Sequence, residues 1–407
     1  MNILFLTIGR LEKIEDHTLY CDLLRAFIKE GHNIYTISPY ERRTGKRTEY
    51  IINENVHMLH VSTGNIVKCS IIEKGITTLS IESIYIRGIK KYFSNVKFDL
   101  VIYSTPPITF YKAIKYVKER DNAKSYLLLK DIFPQNAIDI GILNKSGIKG
   151  IIYRYFRHKE KSLYGISDYI GCMSQANVDY ILKHNPEIDR KRVEICPNSI
   201  EVQDMSLNNS GRNKIRMKYG IPLDKIVFVY GGNLGKPQGI PFLIECLKSQ
   251  INNEKGFFLI IGDGTEFNRL SSFFNENTPN NMKLMQRLPK DEYDQMIAAC
   301  DVGMIFLDHR FTIPNFPSRL LTYMQAKLPV LAVTDPNTDV GKVIVEGEFG
   351  WWCESNSATQ FQGKIDVILQ CQELKRIGEN GWKYLNEYYT VARSFDIIYK
   401  TIAENYL

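Results

Sequence analysis

Short apolar runs alternate with longer amphipathic segments along the whole chain, and this alternation restricts the possible folds more than any other feature of the sequence. Several runs are apolar almost throughout, which is typical of parallel strands that are covered on both faces. Between them lie helical patterns such as Thr18–Glu30, which is followed by Gly31, and Thr109–Arg120. Strand–helix alternation with this spacing predicts βαβ units and doubly wound parallel sheets. The predicted strands are Ile3–Ile8, Asn33–Ile37, Asp99–Tyr103, Ser125–Leu129, Tyr169–Met173, Val193–Cys196, Ile226–Tyr230, Phe257–Ile261, Met282–Met285, Val302–Phe306 and Val330–Val333.

The alternation is interrupted once, over a polar stretch at residues 197–212, and then begins again. A chain of 407 residues is long enough for two to three domains. We therefore predict two α/β domains of similar size, residues 1–199 and 200–390, which face a central cleft. An amphipathic segment, residues 391–407, follows a Tyr-Tyr-Thr break and is predicted to form a separate closing helix.

Charge and cysteine content exclude several classes of protein. The formal net charge of +7 is too small to favour a nucleic-acid binder, although a basic adaptor for a membrane surface or for nucleic acid stays open as an alternative. Residues 1–200 carry 30 Lys and Arg against 21 Asp and Glu, so the excess lies entirely in the first half. The eight cysteines are scattered singly and form no C-x-x-C pair, which argues against a zinc ribbon and favours a reducing compartment. No apolar stretch is long enough to span a membrane, so we expect a soluble, cytoplasmic protein.

Ligands of open α/β sheets bind beyond the carboxyl ends of the strands, so the loops there are the candidate sites. One such loop, residues 230–239, contains four glycines, which allow the backbone to approach an anion. It is not a Walker A loop, because its glycine spacing differs and Lys236 precedes Pro237. A plain strand–helix turn is the alternative.

Three more loops follow predicted strands. Gly262-Asp263-Gly264 has the composition of a common turn. The segment 315–320 is predicted to open a helix that runs to about Lys327, with Ser318 as its N-cap. Helix dipoles disfavour a cation at this end, so the dipole does not explain Arg319, whereas binding of an anion does. Lys130-Asp131, pinned by Pro134, ends the run Ser125–Leu129 and is expected to face the cleft.

Two further features have no catalytic pattern. His57 and His60 are expected to lie on opposite faces of a strand, which makes them a poor metal pair. The segment Ile148–Leu163 has apolar residues on one helical face and five Lys and Arg elsewhere. It is either an ordinary surface helix or a contact for anionic lipid or a lipid diphosphate.

Taken in chain order, these loops resemble the family 4 glycosyltransferases, which are retaining enzymes of the GT-B fold, an α/β architecture of two Rossmann-like domains. The most similar branch builds bacterial capsule and O-antigen repeat units and includes N-acetylfucosamine transferases. The resemblance extends over essentially the whole chain. It rests on Ile8-Gly9, Lys130-Asp131-Ile132-Phe133-Pro134, Met173-Ser174-Gln175, Cys196-Pro197-Asn198-Ser199-Ile200, the loop 232–239, Gly262-Asp263-Gly264 and Phe316-Pro317-Ser318-Arg319-Leu320-Leu321-Thr322-Tyr323-Met324.

The resemblance implies that the second domain binds a nucleotide-sugar donor, with UDP as the expected nucleotide, and that transfer needs no metal or other cofactor. It implies that the first domain binds the acceptor through Arg10 and His17, and that the last helix crosses back to that domain. Lys130, Asp131 and Arg319 are the implied catalytic residues. The implied donor-binding residues are Gly9, Asn233, Gly235, Lys236, Gly262, Asp263, Gly264, Arg287, Leu288, Asn315, Phe316, Ser318, Arg319 and Leu320.

The chain departs from the family pattern at several positions. Asn233 and Gln238 stand where many members have Arg and Lys, and Lys130 stands where an active-site His is common. Pro314 and Thr322 replace the widespread pair of glutamates, which leaves the ribose contact unassigned.

The expected function is retaining transfer of an N-acetylated amino or 6-deoxyamino sugar from a UDP-sugar to a saccharide linked to undecaprenyl diphosphate. The process would be capsule or O-antigen polysaccharide biosynthesis. The enzyme is expected in the bacterial cytoplasm, peripherally attached to the anionic inner face of the plasma membrane, with no nucleic-acid partner. The alternative is a non-catalytic GT-B-like binding or scaffold protein at the membrane surface, which the missing glutamates motivate.

Overall fold

The structure is a computed structural model that describes residues 1–66, 69 and 71–403. The chain divides into two compact units: an N-terminal unit formed by Met1–Glu201 with Val391–Leu407, and a C-terminal unit formed by Val202–Thr390. Each unit is an α/β domain around one sheet.

The N-terminal unit contains an eight-stranded sheet within the described ranges, in the order β3-β4-β2-β1-β5-β6-β7-β8. Its neighbouring strands are parallel, except for the antiparallel pair β3–β4. The strands are β1 (Asn2–Leu6), β2 (Asn33–Glu41), β3 (Glu49–Asn53), β4 (Val56–Thr63), β5 (Leu100–Ser104), β6 (Lys124–Leu129), β7 (Tyr169–Cys172) and β8 (Val193–Ile195). The helices before the second unit are α1 (Leu19–Lys29), α2 (Ile71–Tyr92), α3 (Tyr111–Asp121), α4 (Gln135–Asp139), α5 (Gly147–Ile166) and α6 (Gln175–His184).

The sheet of the C-terminal unit is wholly parallel among the residues described, in the order β11-β10-β9-β12-β13-β14. Its strands are β9 (Ile226–Asn233), β10 (Gly256–Asp263), β11 (Met282–Met285), β12 (Val302–Phe306), β13 (Val330–Thr334) and β14 (Gly350–Glu354). Its helices are α7 (Asn209–Lys218), α8 (Ile240–Lys248), α9 (Phe267–Asn277), α10 (Lys290–Ala298), α11 (Arg319–Gln325), α12 (Val340–Glu346), α13 (Ala358–Gln370) and α14 (Leu374–Tyr388).

The last helix, α15 (Val391–Ala403), packs within the N-terminal unit. The Phe395 ring meets the Phe27 ring of α1 edge-on at 4.8 Å, and the Val391 amide donates to the Ile200 carbonyl at 3.1 Å. The predicted helix extends to residue 407, but residues 404–407 lie outside the described residues.

The predicted parallel α/β class is confirmed, and β11 and β12 have the predicted bounds. β3, β4, α2 and β14 were not predicted. His57 and His60 lie on β4, and each ring accepts or donates a hydrogen bond through Nδ1: His57 with the Tyr50 hydroxyl at 2.8 Å and His60 with Ser38 Oγ at 2.9 Å. Both are thus structural histidines, as expected.

Candidate functional site

The strand order of the C-terminal unit creates a topological switch point between β9 and β12. From β9 the chain continues outward to β10 and β11, whereas β12 leads the other way to β13 and β14. Loops at such a point diverge and leave a crevice beyond the carboxyl ends of the strands. Here the loop after β9 contacts the segment after β12, because the Asp308 amide donates to the Pro237 carbonyl at 3.0 Å.

The glycine loop after β9 is held by one side chain. The amide oxygen of Gln238 accepts hydrogen bonds from the Gly235 backbone at 3.2 Å and from Asn233 Nδ2 at 3.1 Å. The exposed Lys236 begins the short 3₁₀ turn Lys236–Gln238 that follows. Asn233 and Gln238 therefore order the loop internally, at the positions where the family pattern has cations.

Gly262 and Asp263 are not in a turn, which corrects the sequence prediction. Both residues extend β10 and pair with Gly232 and Asn233 of β9. A Cβ at Gly262 would collide with the Gly232 carbonyl, and one at Gly264 would collide with the Leu234 carbonyl. These glycines are required because the ends of two strands approach each other closely beside the glycine loop.

Arg319 lies against the same loop. Its guanidinium stacks over the Tyr230 ring at 4.4 Å, and a Cβ at Gly232 would be 3.5 Å from Nη2. Nη1 is buried and has no hydrogen-bond partner. A buried donor without a partner costs about 1–3 kcal/mol of folding free energy. An anion bound at Nη1 would accept this hydrogen bond and remove that cost.

Ser318 and Leu320 flank this arginine differently. Ser318 occupies the N-cap position of α11, as predicted, although its side chain makes no capping hydrogen bond. Leu320 is fully buried and anchors the helix. The helix ends at Gln325, within two residues of the predicted end, and Lys327 just beyond it adopts a positive φ of 55°.

Asn315 and Phe316 precede α11 and are tied to the end of β13. The Asn315 carbonyl accepts a hydrogen bond from the Thr338 hydroxyl, while Asn315 Nδ2 is buried without a partner. Phe316 is buried. The carboxylate of Asp335 holds this turn through the Thr338 amide at 3.1 Å, and burial raises its pKa to about 6.

Arg287 and Leu288 follow β11, where Arg287 is exposed and Leu288 is half-buried. Three tyrosines lie around the glycine loop, Tyr230, Tyr293 and Tyr323, and none of them was predicted to be a site residue. Tyr323 bonds only to the backbone, since its oxygen accepts from the Gly231 amide at 3.2 Å and donates to the Met304 carbonyl at 3.0 Å.

In the N-terminal unit, Lys130 and Asp131 follow β6. Both backbone amides donate to Thr105 Oγ1, at 3.0 and 3.1 Å. Asn136 Nδ2 bridges the two carboxylate oxygens of Asp131 at 2.8 and 2.9 Å and so fixes its orientation. Burial lowers the pKa of Lys130. These two residues belong to the N-terminal unit and Arg319 to the C-terminal unit.

The remaining predicted residues of this unit lie after β1. The Gly9 amide donates to Thr7 Oγ1 at 2.9 Å, and Arg10 is exposed and paired with Glu12. His17, Asp22 and Glu201 bring three potential metal ligands together. Arg25 donates to both carboxylates, at 2.5 and 2.7 Å, so a cation of the protein already occupies the position between them and offsets part of their charge.

Helix α5 carries apolar side chains on its solvent face. We call Ile148, Ile151, Ile152 and Tyr155 the isoleucine stripe; Ile148 is 79% exposed and Ile151 is 59% exposed. Lys145, Lys149, Arg154 and Lys159 surround the stripe, and none of them has an acidic partner in the described part of the chain. Phe156, beside Tyr155, packs edge-on against Phe133 at 5.1 Å, next to the Asp131 loop.

Among the described residues, no helix combines the length and apolarity that crossing a bilayer requires.

Comparison with known proteins finds a family similarity within the C-terminal unit. Residues 211–384 match the family described as "Glycosyl transferases group 1". The chain is 26% identical to the probable glycosyltransferase WbjE of Pseudomonas aeruginosa over 67% of this chain and 66% of that protein. It is 22% identical to the putative colanic acid biosynthesis glycosyl transferase WcaI of Escherichia coli K12, over 50% of this chain and 49% of that protein.

Solved structures extend the likeness to both units. The sucrose-phosphate synthase of Thermosynechococcus elongatus superposes with a TM-score of 0.76 at 12% identity, covering 99% of each chain. HepE of Anabaena, in complex with UDP and glucose, gives 0.69 at 13% identity, covering 99% of this chain and 100% of that one. At such identities the comparison establishes the fold, and the GT-B prediction is confirmed.

Proposed function

We propose that this chain, which has a GT-B fold and matches the group 1 glycosyl transferases over residues 211–384, transfers a sugar with retention from a UDP-sugar to a lipid-diphosphate-linked saccharide. The buried, unpartnered Nη1 of Arg319 at the glycine loop is the observation that carries the donor half of this proposal. UDP is favoured because HepE binds UDP with glucose. The sugar would be an N-acetylated amino or 6-deoxyamino sugar, as in the branch that the sequence resembles.

In the proposed reaction, the acceptor hydroxyl attacks the anomeric carbon from the face that the diphosphate leaves. The bond between this carbon and the phosphate oxygen breaks, and the hydroxyl proton passes to that oxygen. Arg319 and Lys236 would stabilise the charge that develops on the leaving diphosphate. Asp131, oriented by Asn136, would position a sugar hydroxyl, with Lys130 beside it. No metal ion takes part in this scheme.

The acceptor half of the proposal rests on α5. An exposed isoleucine stripe beside unpaired lysines suits the surface of an anionic bilayer, where each Lys or Arg contributes about 1 kcal/mol. The contact between Phe156 and Phe133 connects this surface to the Asp131 loop. We therefore propose a peripheral position on the inner membrane face and an undecaprenyl-diphosphate-type acceptor. The name of WcaI, a putative colanic acid biosynthesis glycosyl transferase, supports a role in polysaccharide synthesis.

The donor proposal is tested by titrating UDP, GDP, ADP and CMP, and their sugars, into the full chain by calorimetry. We expect UDP to bind and Arg319→Ala to weaken its binding by about 10- to 150-fold, and failure of every nucleotide to bind would refute the proposal. Transfer to a lipid-linked acceptor then separates an enzyme from a non-catalytic binding protein. Near-normal turnover of both Asp131→Asn and Arg319→Ala would disprove the site assignment.

The membrane proposal is tested by sedimentation with phosphatidylglycerol vesicles. The double variant Ile148→Asp and Ile151→Asp should lose binding without loss of thermal stability, since both side chains are exposed. Val367→Asp, at a 53% exposed position on α13, is the matched control and should bind as the wild type does. Equal binding of the double variant would refute the role of the stripe.

A further inference from the structure

Tyr293 lies in the first turn of α10, and its hydroxyl stands over the glycine loop. A Cβ at Gly231 would collide with this hydroxyl oxygen and would lie 2.8 Å from the Cζ atom of the ring. The hydroxyl makes no hydrogen bond to any residue in the described ranges, and the ring is only partly buried. The side chain therefore has a polar end that no intramolecular contact explains.

The surroundings of this hydroxyl are those of an anion site. Arg319, stacked on Tyr230, approaches the adjoining Gly232 and interacts electrostatically with Tyr293. The neighbouring acid on α10, Asp294, is paired with Lys290 at 2.7 Å. Burial raises the pKa of Tyr293 to about 12, so the hydroxyl keeps its proton at neutral pH and can donate it.

We propose that the Tyr293 hydroxyl is a second hydrogen-bond donor to the diphosphate that Arg319 binds. This inference rests on the proposed function, because it assigns a further residue to the same donor site. Tyr323 provides a structural contrast: its hydroxyl is already committed to the Gly231 amide and the Met304 carbonyl, so it holds the loop and is not available to a ligand.

The test is calorimetric titration of Tyr293→Phe with UDP, uridine and inorganic pyrophosphate. A hydrogen bond to a charged group predicts about tenfold or greater loss of affinity for UDP and for pyrophosphate. Affinity for uridine, which has no diphosphate, should not change. The melting temperature of the ligand-free variant should also stay the same, because no intramolecular hydrogen bond is lost.

Two controls sharpen the result. Tyr384→Phe removes a hydroxyl from α14 of the same unit and should bind UDP as the wild type does. Tyr323→Phe should lower the melting temperature, because it breaks bonds to the backbone.

Wild-type affinity of Tyr293→Phe for UDP, or an equal loss for uridine, overturns the inference. If the wild-type protein binds no nucleotide, the proposed function fails. The pyrophosphate titration then tests the inference by itself. The inference is refuted if the wild type does not bind pyrophosphate, or if Tyr293→Phe binds it as tightly as the wild type does.

Discussion

Replacing Arg319 with methionine should weaken nucleotide binding strongly without destabilising the ligand-free protein. In the free protein the guanidinium has a buried nitrogen with no partner, and its main attractive contact is the Tyr230 ring at 4.4 Å. Methionine has similar length, fills the same space and has no donor to leave unsatisfied. The substitution therefore separates the contribution of Arg319 to binding from its contribution to stability.

The expected magnitudes follow from these contacts. Removing the unsatisfied donor returns about 1–3 kcal/mol, and loss of the cation–π contact costs up to about 2 kcal/mol. A sulfur–aromatic contact recovers about 0.3–1.5 kcal/mol of that loss. The free energy of unfolding should thus stay constant or rise by about 1 kcal/mol, which for a unit of this size raises the melting temperature by about 2–4 °C. Loss of one charge-assisted bond weakens diphosphate binding by about 10- to 150-fold.

Scanning calorimetry with and without UDP measures both effects. At about 100 times its dissociation constant a ligand stabilises the folded state by about 2.7 kcal/mol, and at the same UDP concentration this increment should fall to about 0.3–1.4 kcal/mol in the variant. Arg310→Met is the matched control and should destabilise, because Arg310 pairs with the buried Asp308 at 2.7 Å. Wild-type UDP stabilisation in Arg319→Met, together with a loss of more than about 2 kcal/mol in the ligand-free form, would refute the reasoning.

Three further predictions concern the same unit. Gln238→Ala removes the acceptor that orders the glycine loop and should raise the KM for the donor in a transfer assay, and an unchanged KM would argue against this ordering. Gly262→Ala should lower the free energy of unfolding in urea by at least about 2 kcal/mol, because its Cβ would meet a backbone carbonyl. Gly363→Ala is the control and should stabilise by about 0.5–1 kcal/mol, because Gly363 lies in open space on α13. Equal effects of the two substitutions would contradict the close approach of the backbone at Gly262. Burial raises the pKa of Asp335 to about 6, so its stabilising effect is full below about pH 4 and is lost as the pH rises through 6. The stability advantage of Asp335→Asn should consequently grow to roughly 3 kcal/mol by pH 7, and a pH-independent difference would argue against a perturbed carboxyl.

The core strands were predictable because a strand covered on both faces must be apolar along its whole length. β11 and β12 show this directly, with the predicted bounds. The missed elements lack that signal: β3 lies at the sheet edge with exposed Ile51 and Ile52, and α2 contains Gly75, Thr77 and Thr78, which are weak helix formers. Such elements depend on tertiary packing, which periodicity does not report.

The candidate site was predictable only where a residue type conflicts with its local context. Arg319 opposes the dipole at the start of α11, and the glycines of the loop after β9 exceed what a simple turn requires. The hydroxyl of Tyr293 had no such signal, because a tyrosine in the first turn of a helix is unremarkable. Its position over Gly231 results from the packing of α10 beside β9.

The sequence by itself determined the parallel α/β class, the restart of the pattern near residue 212 and the resemblance to glycosyltransferases, since periodicity and short motifs are local properties. Tertiary structure alone decided that Gly262 extends a strand, that the isoleucine stripe faces solvent and that Nη1 of Arg319 is buried without a partner. Each of these depends on which atoms occupy the space around a residue, and elements distant in the chain supply those atoms.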